Sequence, residues 1–359
     1  MDAKEKNLFL KLCSFKTADY DDIAVLLLQK AASPEVLGHL FFNRMQAVAY
    51  GTLERNGLLG KVNREFRNSL KGAYEQNVQK NDSFFKTVRY VSEILAPQKG
   101  QYAMLKGAVL CKKYPKGYRT SNDIDLLVCP ERVTQIGKAL IKEGFRQGDI
   151  RNGTFIPASR KEIIESRMTR GETIPYIKEV NLPGMRYLEV DINFSLDYKN
   201  STTDTLERML SAREEAGFDG FYGQTLCRED FFIHLCGHLY KEAATLPWVE
   251  MKRDMTLYKY CDIYLLLHQM TAEDIEKLFQ RAFELDLTAL CCFAILQTAG
   301  LFEKVNPIAV GKARECLTDR DNFLNTVISP KDGKVYQYTE RNIADRFFAR
   351  ERLKLLEEV

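Results

Sequence analysis

The stretch S-N-D-I-D-L-L-V, Ser121 to Val128, decides how this chain folds. Acids alternate with apolar residues, an apolar run follows, and Pro130 stops it, which is the pattern of a short strand. Strand side chains alternate faces with a period of two. Asp123 and Asp125 therefore point one way, and Ile124, Leu126 and Val128 point the other way, toward a core. Two neighbouring carboxylates repel each other and stay ionised together only if a cation sits between them. Hard oxygen ligands of this kind select Mg²⁺ or Mn²⁺. The plain alternative is a solvated strand edge or a turn cap. The alternation and the basic loop that precedes it weigh against that alternative.

Further along, M-R-Y-L-E-V-D-I-N-F-S-L-D-Y reads as a second strand with an acid inside it. If it pairs beside the first, Asp191 joins Asp123 and Asp125. Glu189 shares the Asp191 face by parity and is a rival third carboxylate, while Asp197 falls past the strand end. Three carboxylates suffice to hold two metal ions, one activating an attacking oxygen and one staying with nucleotide phosphates. Upstream, Y-A-M-L-K-G-A-V-L is an apolar run of strand length, with Lys106 and Gly107 ending or following it. Glycine lets a backbone approach a phosphate closely. The loop C-K-K-Y-P-K-G-Y-R-T-S-N adds Lys112, Lys113, Lys116 and Arg119, cations suited to a triphosphate. Ordinary solvation accounts equally for the three lysines, and an ion pair with Asp123 or Asp125 accounts for Arg119. Lys106, Gly107, Arg119 and Ser121 are the candidate nucleotide-binding residues.

The flanks differ from this centre. Residues 1–98 read as a helical region: Ser33 caps, Pro34 takes the first helical position and Gly57 stops the run. Residues 99–200 carry the strands and the amphipathic helix P-E-R-V-T-Q-I-G-K-A-L-I-K-E-G-F. Within them, T-F-I-P-A-S-R-K-E-I-I-E-S-R-M-T-R-G-E-T-I-P-Y-I-K-E-V-N-L-P-G is open between a loop with a helix and a hairpin. Residues 201–359 return to helical spacing. The expected class is α+β, a small mixed sheet flanked by N- and C-terminal helical regions. In the last region His234 and His238 are four apart, yet no Glu completes H-E-x-x-H, so satisfied helix histidines are the simpler reading. Lys241 lies within reach of a phosphate, Asp262 on an apolar helix face calls for a structural partner, and Trp248 suits a core or lid role.

Composition narrows the partners. With 52 basic and 49 acidic residues the net charge is +3, so no bulk electrostatic case exists for nucleic acid or an anionic membrane. Nine cysteines form no C-x-x-C pair and sit mostly in apolar runs, which predicts reduced, buried thiols. The start M-D-A-K-E-K is charged, with no apolar signal core, and the longest apolar stretch, Leu287 to Leu296, is too short to span a bilayer. A cytoplasmic protein without membrane partners is expected.

L-K-G-A-V-L-C-K-K-Y-P-K-G-Y-R-T-S-N-D-I-D-L-L-V, followed later by Y-L-E-V-D-I-N-F-S-L, resembles the nucleotidyltransferases of the DNA polymerase β-like superfamily. Within it the chain resembles an uncharacterised bacterial nucleotidyltransferase family with a K-G…R-x-x-x-D-I-D-L-L-V signature. The helical lead-in and F-F-I-H-L-C-G-H-L-Y-K-E-A…D-I-Y-L-L-L share in the likeness, so it covers most of the chain. The resemblance implies a small mixed sheet with helices on one side. It implies that the first two acids, Asp123 and Asp125, bind both metals and that the third, Asp191, helps deprotonate an acceptor hydroxyl. It implies an NTP such as ATP as donor, pyrophosphate as product, and a small-molecule, peptide or protein acceptor; near-neutral charge makes nucleic acid less suited. The superfamily's glycine-serine phosphate turn reads Lys106–Gly107–Ala108 here, without serine, and Asn193 stands where relatives often have His. Two other readings compete. One is a weakly active nucleotide-binding or toxin–antitoxin protein. The other is a D-x-D glycosyltransferase, which calls for a larger nucleotide-binding sheet before the acids, where this chain reads helical.

Overall fold

The computed structural model describes residues 1–196, 198–199, 202–318 and 320–359, so Asp197 lies outside the described residues. The chain divides into two compact units, one of residues 75–231 and one of residues 1–74 with 232–359. Four helices open the chain: α1 (Ala3–Cys13), α2 (Tyr20–Leu28), α3 (Pro34–Phe42) and α4 (Gln46–Arg55). Their starts follow from local chemistry. Asp2 and Glu5 form a capping box, Asp19 accepts from the amides of Asp21 and Asp22, and Ser33 accepts from Val36 with proline in the first turn. The long helix α5 (Arg64–Ile94) follows, and the division between the units falls inside it.

Residues 75–231 carry an eight-stranded mixed sheet in the order β4-β3-β5-β6-β2-β1-β8-β7. Its strands are β1 (Tyr102–Met104), β2 (Asp123–Val128), β3 (Arg146–Arg151), β4 (Thr154–Pro157), β5 (Tyr176–Leu182), β6 (Met185–Asn193), β7 (Glu214–Phe218) and β8 (Phe221–Thr225). Between them lie α6 (Gly107–Lys113), α7 (Val133–Lys142), α8 (Arg160–Thr169) and α9 (Thr203–Ser211). The central pair, β2 and β6, is parallel, and β1 runs parallel to β8 through Met104 and Thr225. The remaining pairings are antiparallel.

Alternation along β2 and β6 decides what the sheet buries. Ile124, Leu126, Val128, Leu188, Val190 and Ile192 are all fully buried. Tyr176 stands directly opposite Val190 and so shares this face. Its hydroxyl approaches α7 so closely that a Cβ on Gly137 would collide with it. From α5, Thr87 meets the Met185 sulfur at 3.9 Å and Tyr90 accepts a hydrogen bond from Lys178 at 2.6 Å. Helices α5 and α7 thus cover the apolar face, and parity sends Asp123, Asp125, Glu189 and Asp191 to the other.

The sheet is larger than the small core expected, because short turns were hidden among residues read otherwise. Asn152-Gly153 joins β3 to β4, with φ of 51° and 74°. Asp219 and Gly220, the latter at φ 79°, separate β7 from β8. Asn-Gly and Asp-Gly are the dipeptides that close two-residue hairpins, because their residues tolerate positive φ. The ambiguous stretch resolves into both options at once, with β4, α8 and β5 in succession. Y-A-M-L-K-G-A-V-L is not one strand: β1 ends at Met104 and α6 begins at Gly107.

The other unit continues with α10 (Arg228–Ala243), in which the second division falls, then α11 (Leu246–Glu250), α12 (Leu257–Leu267), α13 (Ala272–Glu284), α14 (Thr288–Leu301), α15 (Pro307–Cys316), α16 (Arg320–Asn325) and α17 (Ile343–Phe348). A three-stranded antiparallel sheet, β9 (Thr326–Ile328), β10 (Val335–Tyr338) and β11 (Leu356–Glu358), interrupts the helical pattern. Arg352 grips the buried Asp254 with two hydrogen bonds of 2.7 and 2.6 Å, a fork-on-carboxylate geometry that fixes the C-terminal segment. All nine cysteines are free thiols, six of them buried. No helix among the described residues is long and apolar enough to cross a membrane.

The parity assignment is open to test. Ile192→Ala is expected to cost about 2–5 kcal/mol in urea unfolding, and Glu189→Gln, an isosteric change on the other face of the same strand, less than about 1 kcal/mol. Equal costs would contradict the assignment.

Candidate active site

The parallel register of β2 and β6 sets Asp123 opposite Glu189 and Asp125 opposite Asp191. Neighbouring strands lie roughly 4.8 Å apart, so four carboxylates form a compact block on one face of the sheet. Asp125 is buried, and Asp123, Glu189 and Asp191 are half-buried. Both rivals for the third position, Asp191 and Glu189, share this face; Asp191 is the one beside Asp125.

The turn between β1 and α6 brings in a cation. Lys106 adopts φ 42° and ψ −112°, a backbone that side-chain-bearing residues rarely take. From there its ammonium donates to Asp125 Oδ1 at 2.9 Å, and the amide of Leu105 donates to the Asp125 carbonyl at 2.9 Å. Gly107 is required by contact, since an added Cβ would collide with the Ser121 side chain. Ser121 in turn donates to Asp123 Oδ1 at 2.7 Å. Lys106, Gly107, Ser121, Asp123 and Asp125 are thus one connected cluster. The turn that has no serine of its own holds the hydroxyl of Ser121 against its glycine.

Burial and mutual repulsion dominate the electrostatics. Burial first, then the Asp123 charge, raise the Asp125 carboxyl above its ordinary range, against the pull of Lys106 and Arg119. Burial, then the charges of Asp125 and Asp123, push Asp191 well above the usual carboxylate value. Glu189 is raised by burial and then by Asp123 and Asp149. Burial alone would depress the Lys106 ammonium, but Asp125, with Asp123 and Asp191 behind it, holds it above its normal value. The face therefore carries more negative charge than Lys106 neutralises. Among the described residues no three acidic, imidazole or thiol side chains stand together in coordination geometry.

The basic loop is fastened by two residues the sequence reading passed over. Asn81 on α5 is buried; its amide donates to the Arg119 carbonyl at 2.9 Å and its oxygen accepts from the Gly117 amide at 2.9 Å. One turn earlier, Asn77 donates to the Gly117 carbonyl at 3.0 Å. The available signal was two asparagines four apart inside a long helix, where asparagine is a poor former unless its amide has a task. Lys80 on the same helix donates to Asn122. Arg119 is held by its backbone within this loop, and its charge reaches Asp125. Lys116 pairs with Asp82 at 2.5 Å, and Lys112 and Lys113 are exposed in the last turn of α6, at its far end from Gly107. Asn193 donates to the Leu126 carbonyl at 3.4 Å, a strand-to-strand contact.

His234, His238, Lys241, Trp248 and Asp262 all belong to the other unit. There His238 contacts Glu242 at 3.1 Å, and the Lys259 ammonium lies 5.6 Å over the Trp248 ring.

Two measurements follow from this geometry. Asp191 has a raised folded-state carboxyl value, so its ionisation costs stability that is felt as pH rises above the ordinary value near 4. Asp191→Asn is expected to raise the melting temperature in EDTA at pH 7 and to flatten its fall as pH rises above the ordinary carboxylate value near 4; a lower melting temperature than wild type contradicts this. Asn81→Ala leaves the Gly117 amide and Arg119 carbonyl without their partner, and thermal unfolding is expected to report a loss of about 1–3 kcal/mol.

The crystal structure of an antigenic nucleotidyltransferase-like protein from Paracoccidioides brasiliensis is similar at 15% identity and a TM-score of 0.34, covering 57% of this chain and 91% of that one. A likeness that slight carries no argument. No curated protein matches. The profile described as "Uncharacterised nucleotidyltransferase" matches residues 31–303. That span holds most of the sequence and every acid of the cluster, and the chain belongs to the uncharacterised nucleotidyltransferase family.

Proposed function

We propose that the chain is a divalent-metal-dependent enzyme that moves an NMP from an NTP to a hydroxyl or phosphate of a small-molecule, peptide or protein acceptor, releasing pyrophosphate. Membership of the family gives nucleotidyl transfer in general. The observation that carries the finer reading is the β2–β6 register, with Asp125 opposite Asp191 and Asp123 one step along the same face.

The donor set fits Mg²⁺ or Mn²⁺. Its oxygens are hard, its charge exceeds what Lys106 offsets, and its carboxyl groups resist ionising together without a further cation. We assign Asp123, Asp125 and Asp191 as the metal-holding and catalytic carboxylates. Bound metal would supply Lewis-acid stabilisation of the attacking oxygen and of the departing pyrophosphate. Asp191 is the residue that takes the proton of the acceptor hydroxyl as its oxygen bonds to the α-phosphorus. Lys106, Gly107, Arg119 and Ser121 are assigned to the NTP. Lys106 and Arg119 bring positive charge to the phosphates, the bare Gly107 backbone allows close approach, and Ser121 offers a hydroxyl at that same turn.

Asp123→Asn and Asp125→Asn are each expected to lower pyrophosphate release about 10²–10³-fold, the scale for losing one preorganised charge-stabilising group. They should also weaken Mn²⁺ binding read by electron paramagnetic resonance, with an unchanged circular dichroism spectrum. A double variant that binds Mn²⁺ and NTP like wild type would overturn the assignment. Wild type that binds Mg²⁺–NTP but releases no pyrophosphate with any acceptor would favour a nucleotide-binding role without turnover.

A further inference from the structure

A cleft of about 280 Å³ opens in the unit formed by residues 1–74 and 232–359. An apolar cavity of about 150 Å³ is enough to hold benzene, so this one has room for a ring with a short polar arm. Helix α3 forms one wall with Gly38, His39 and Phe42, and the end of α17 forms another with Phe347 and Phe348. The second wall is fixed by its own packing. Phe347 and Phe348 meet edge to face at 4.9 Å, and Phe9 stacks on Phe347 at 5.8 Å. Phe42 is 65% exposed despite its large apolar ring, and it stands four residues from Gly38 on the same helix face.

Gly38 keeps the cleft open. Glycine inside a helix is destabilising relative to alanine, and neither packing nor backbone requires it here. A Cβ at Gly38 would meet no atom within 4 Å, and its φ is outside the left-handed region. What the missing side chain leaves is space beside Phe42. The charged groups of the lining are mostly matched. Arg352 is held by Asp254 at 2.7 and 2.6 Å, and Arg350 by Glu35 at 3.2 Å. Lys252 is exposed at the rim and makes no hydrogen bond or ion pair among the described residues. The side chain of His39 makes no hydrogen bond among them either. Burial holds its imidazole below the ordinary value, so near neutral pH it is uncharged and has one N–H to give. Asn43, the one amide of the lining, is engaged: it donates to the His39 carbonyl at 3.0 Å and accepts from the Leu257 amide at 3.1 Å.

We infer that this cleft binds a small carboxylic acid built on an apolar ring. The ring lies against Phe42 and Phe348 in the space left by Gly38, and the carboxylate meets the Lys252 ammonium and the His39 N–H. Three features select this chemistry together. Aromatic walls favour a ring. An unmatched ammonium at the rim favours a single negative charge and repels a cationic ligand. An engaged Asn43 leaves the wall without an amide to read the edge of a nucleobase, which disfavours a nucleotide. No residue of this lining is among those assigned to the metal or to the NTP, so the site stands independently of the nucleotidyl-transfer reading.

The test uses the whole chain with phenylacetate, its neutral counterpart phenylacetamide, and AMP, each titrated by calorimetry and by NMR saturation transfer. Wild type is expected to bind phenylacetate at millimolar concentration or below, and the amide roughly three- to fivefold more weakly, the scale of one exposed ion pair. Lys252→Gln should remove that difference by weakening the acid alone. Gly38→Leu places a side chain in the open space and should abolish binding of both, with an unchanged circular dichroism spectrum. Phe42→Ala, which removes an exposed ring, should weaken both and gives the same reading if Gly38→Leu fails to fold. No saturable binding of phenylacetate at millimolar concentration overturns the proposal. So does equal binding of acid and amide by wild type, or phenylacetate binding that survives both Gly38→Leu and Phe42→Ala. AMP that binds more tightly than phenylacetate and is lost in the same variants overturns it in favour of a nucleotide site.

Discussion

Charge repulsion across the β2–β6 pair is the constraint around which residues 75–231 are arranged. A parallel register locks Asp125 beside Asp191, and hydrogen bonds along both strands prevent them from moving apart. Each residue packed around them answers that repulsion or holds something that does. Lys106 accepts an unfavourable backbone to bring its ammonium to Asp125. Ser121 takes up an oxygen of Asp123, and Gly107 leaves room for it. Asn81 and Asn77 tie down the loop that carries Arg119. Such a face is poorly stable as it stands and well prepared for added positive charge, the trade expected where function and stability draw on the same residues.

The legible part of the fold was the part written with a clear period. The acids of D-I-D-L-L-V and of L-E-V-D-I-N alternate with apolar residues, so strand identity and the face of the acids on each strand could be read from spacing. The register itself could not, because partner choice between strands so far apart in sequence depends on packing that no local pattern encodes. The edges of the sheet were obscured for another reason. R-E-E-A-G-F-D-G-F-Y-G-Q-T has too few apolar residues to signal a buried strand, and only its Asp-Gly marks a hairpin. The run through Lys106 looked continuous because a reversal at a lysine leaves no compositional trace; glycine is the usual sign of positive φ, and here it comes one residue late.

The candidate site was legible in the same uneven way. Acids inside apolar strands announce themselves, since burial of a charge without purpose is costly. The asparagines that position the basic loop do not, because two polar residues on a long helix resemble solvent-facing ones until the loop is seen lying on them. Where the sequence left Glu189 as a rival to Asp191, the sheet gives the two different neighbours, Asp123 for one and Asp125 for the other.

The strand order also governs when this face comes into being. The β3–β4 and β7–β8 hairpins at the two edges join residues close in sequence and close on the microsecond scale of hairpin formation. The middle of the sheet does not. β2 waits for β6, and β1 takes its second neighbour only when Thr225 is available. Pairings of such long sequence separation are slow, because loop closure must precede any gain from contact. During synthesis, therefore, the repelling carboxylates of β2 and β6 stay apart on an unfinished chain until β6 has emerged. The most costly contact in the unit becomes available only once β3, β4 and β5 already exist to hold the strand that completes it.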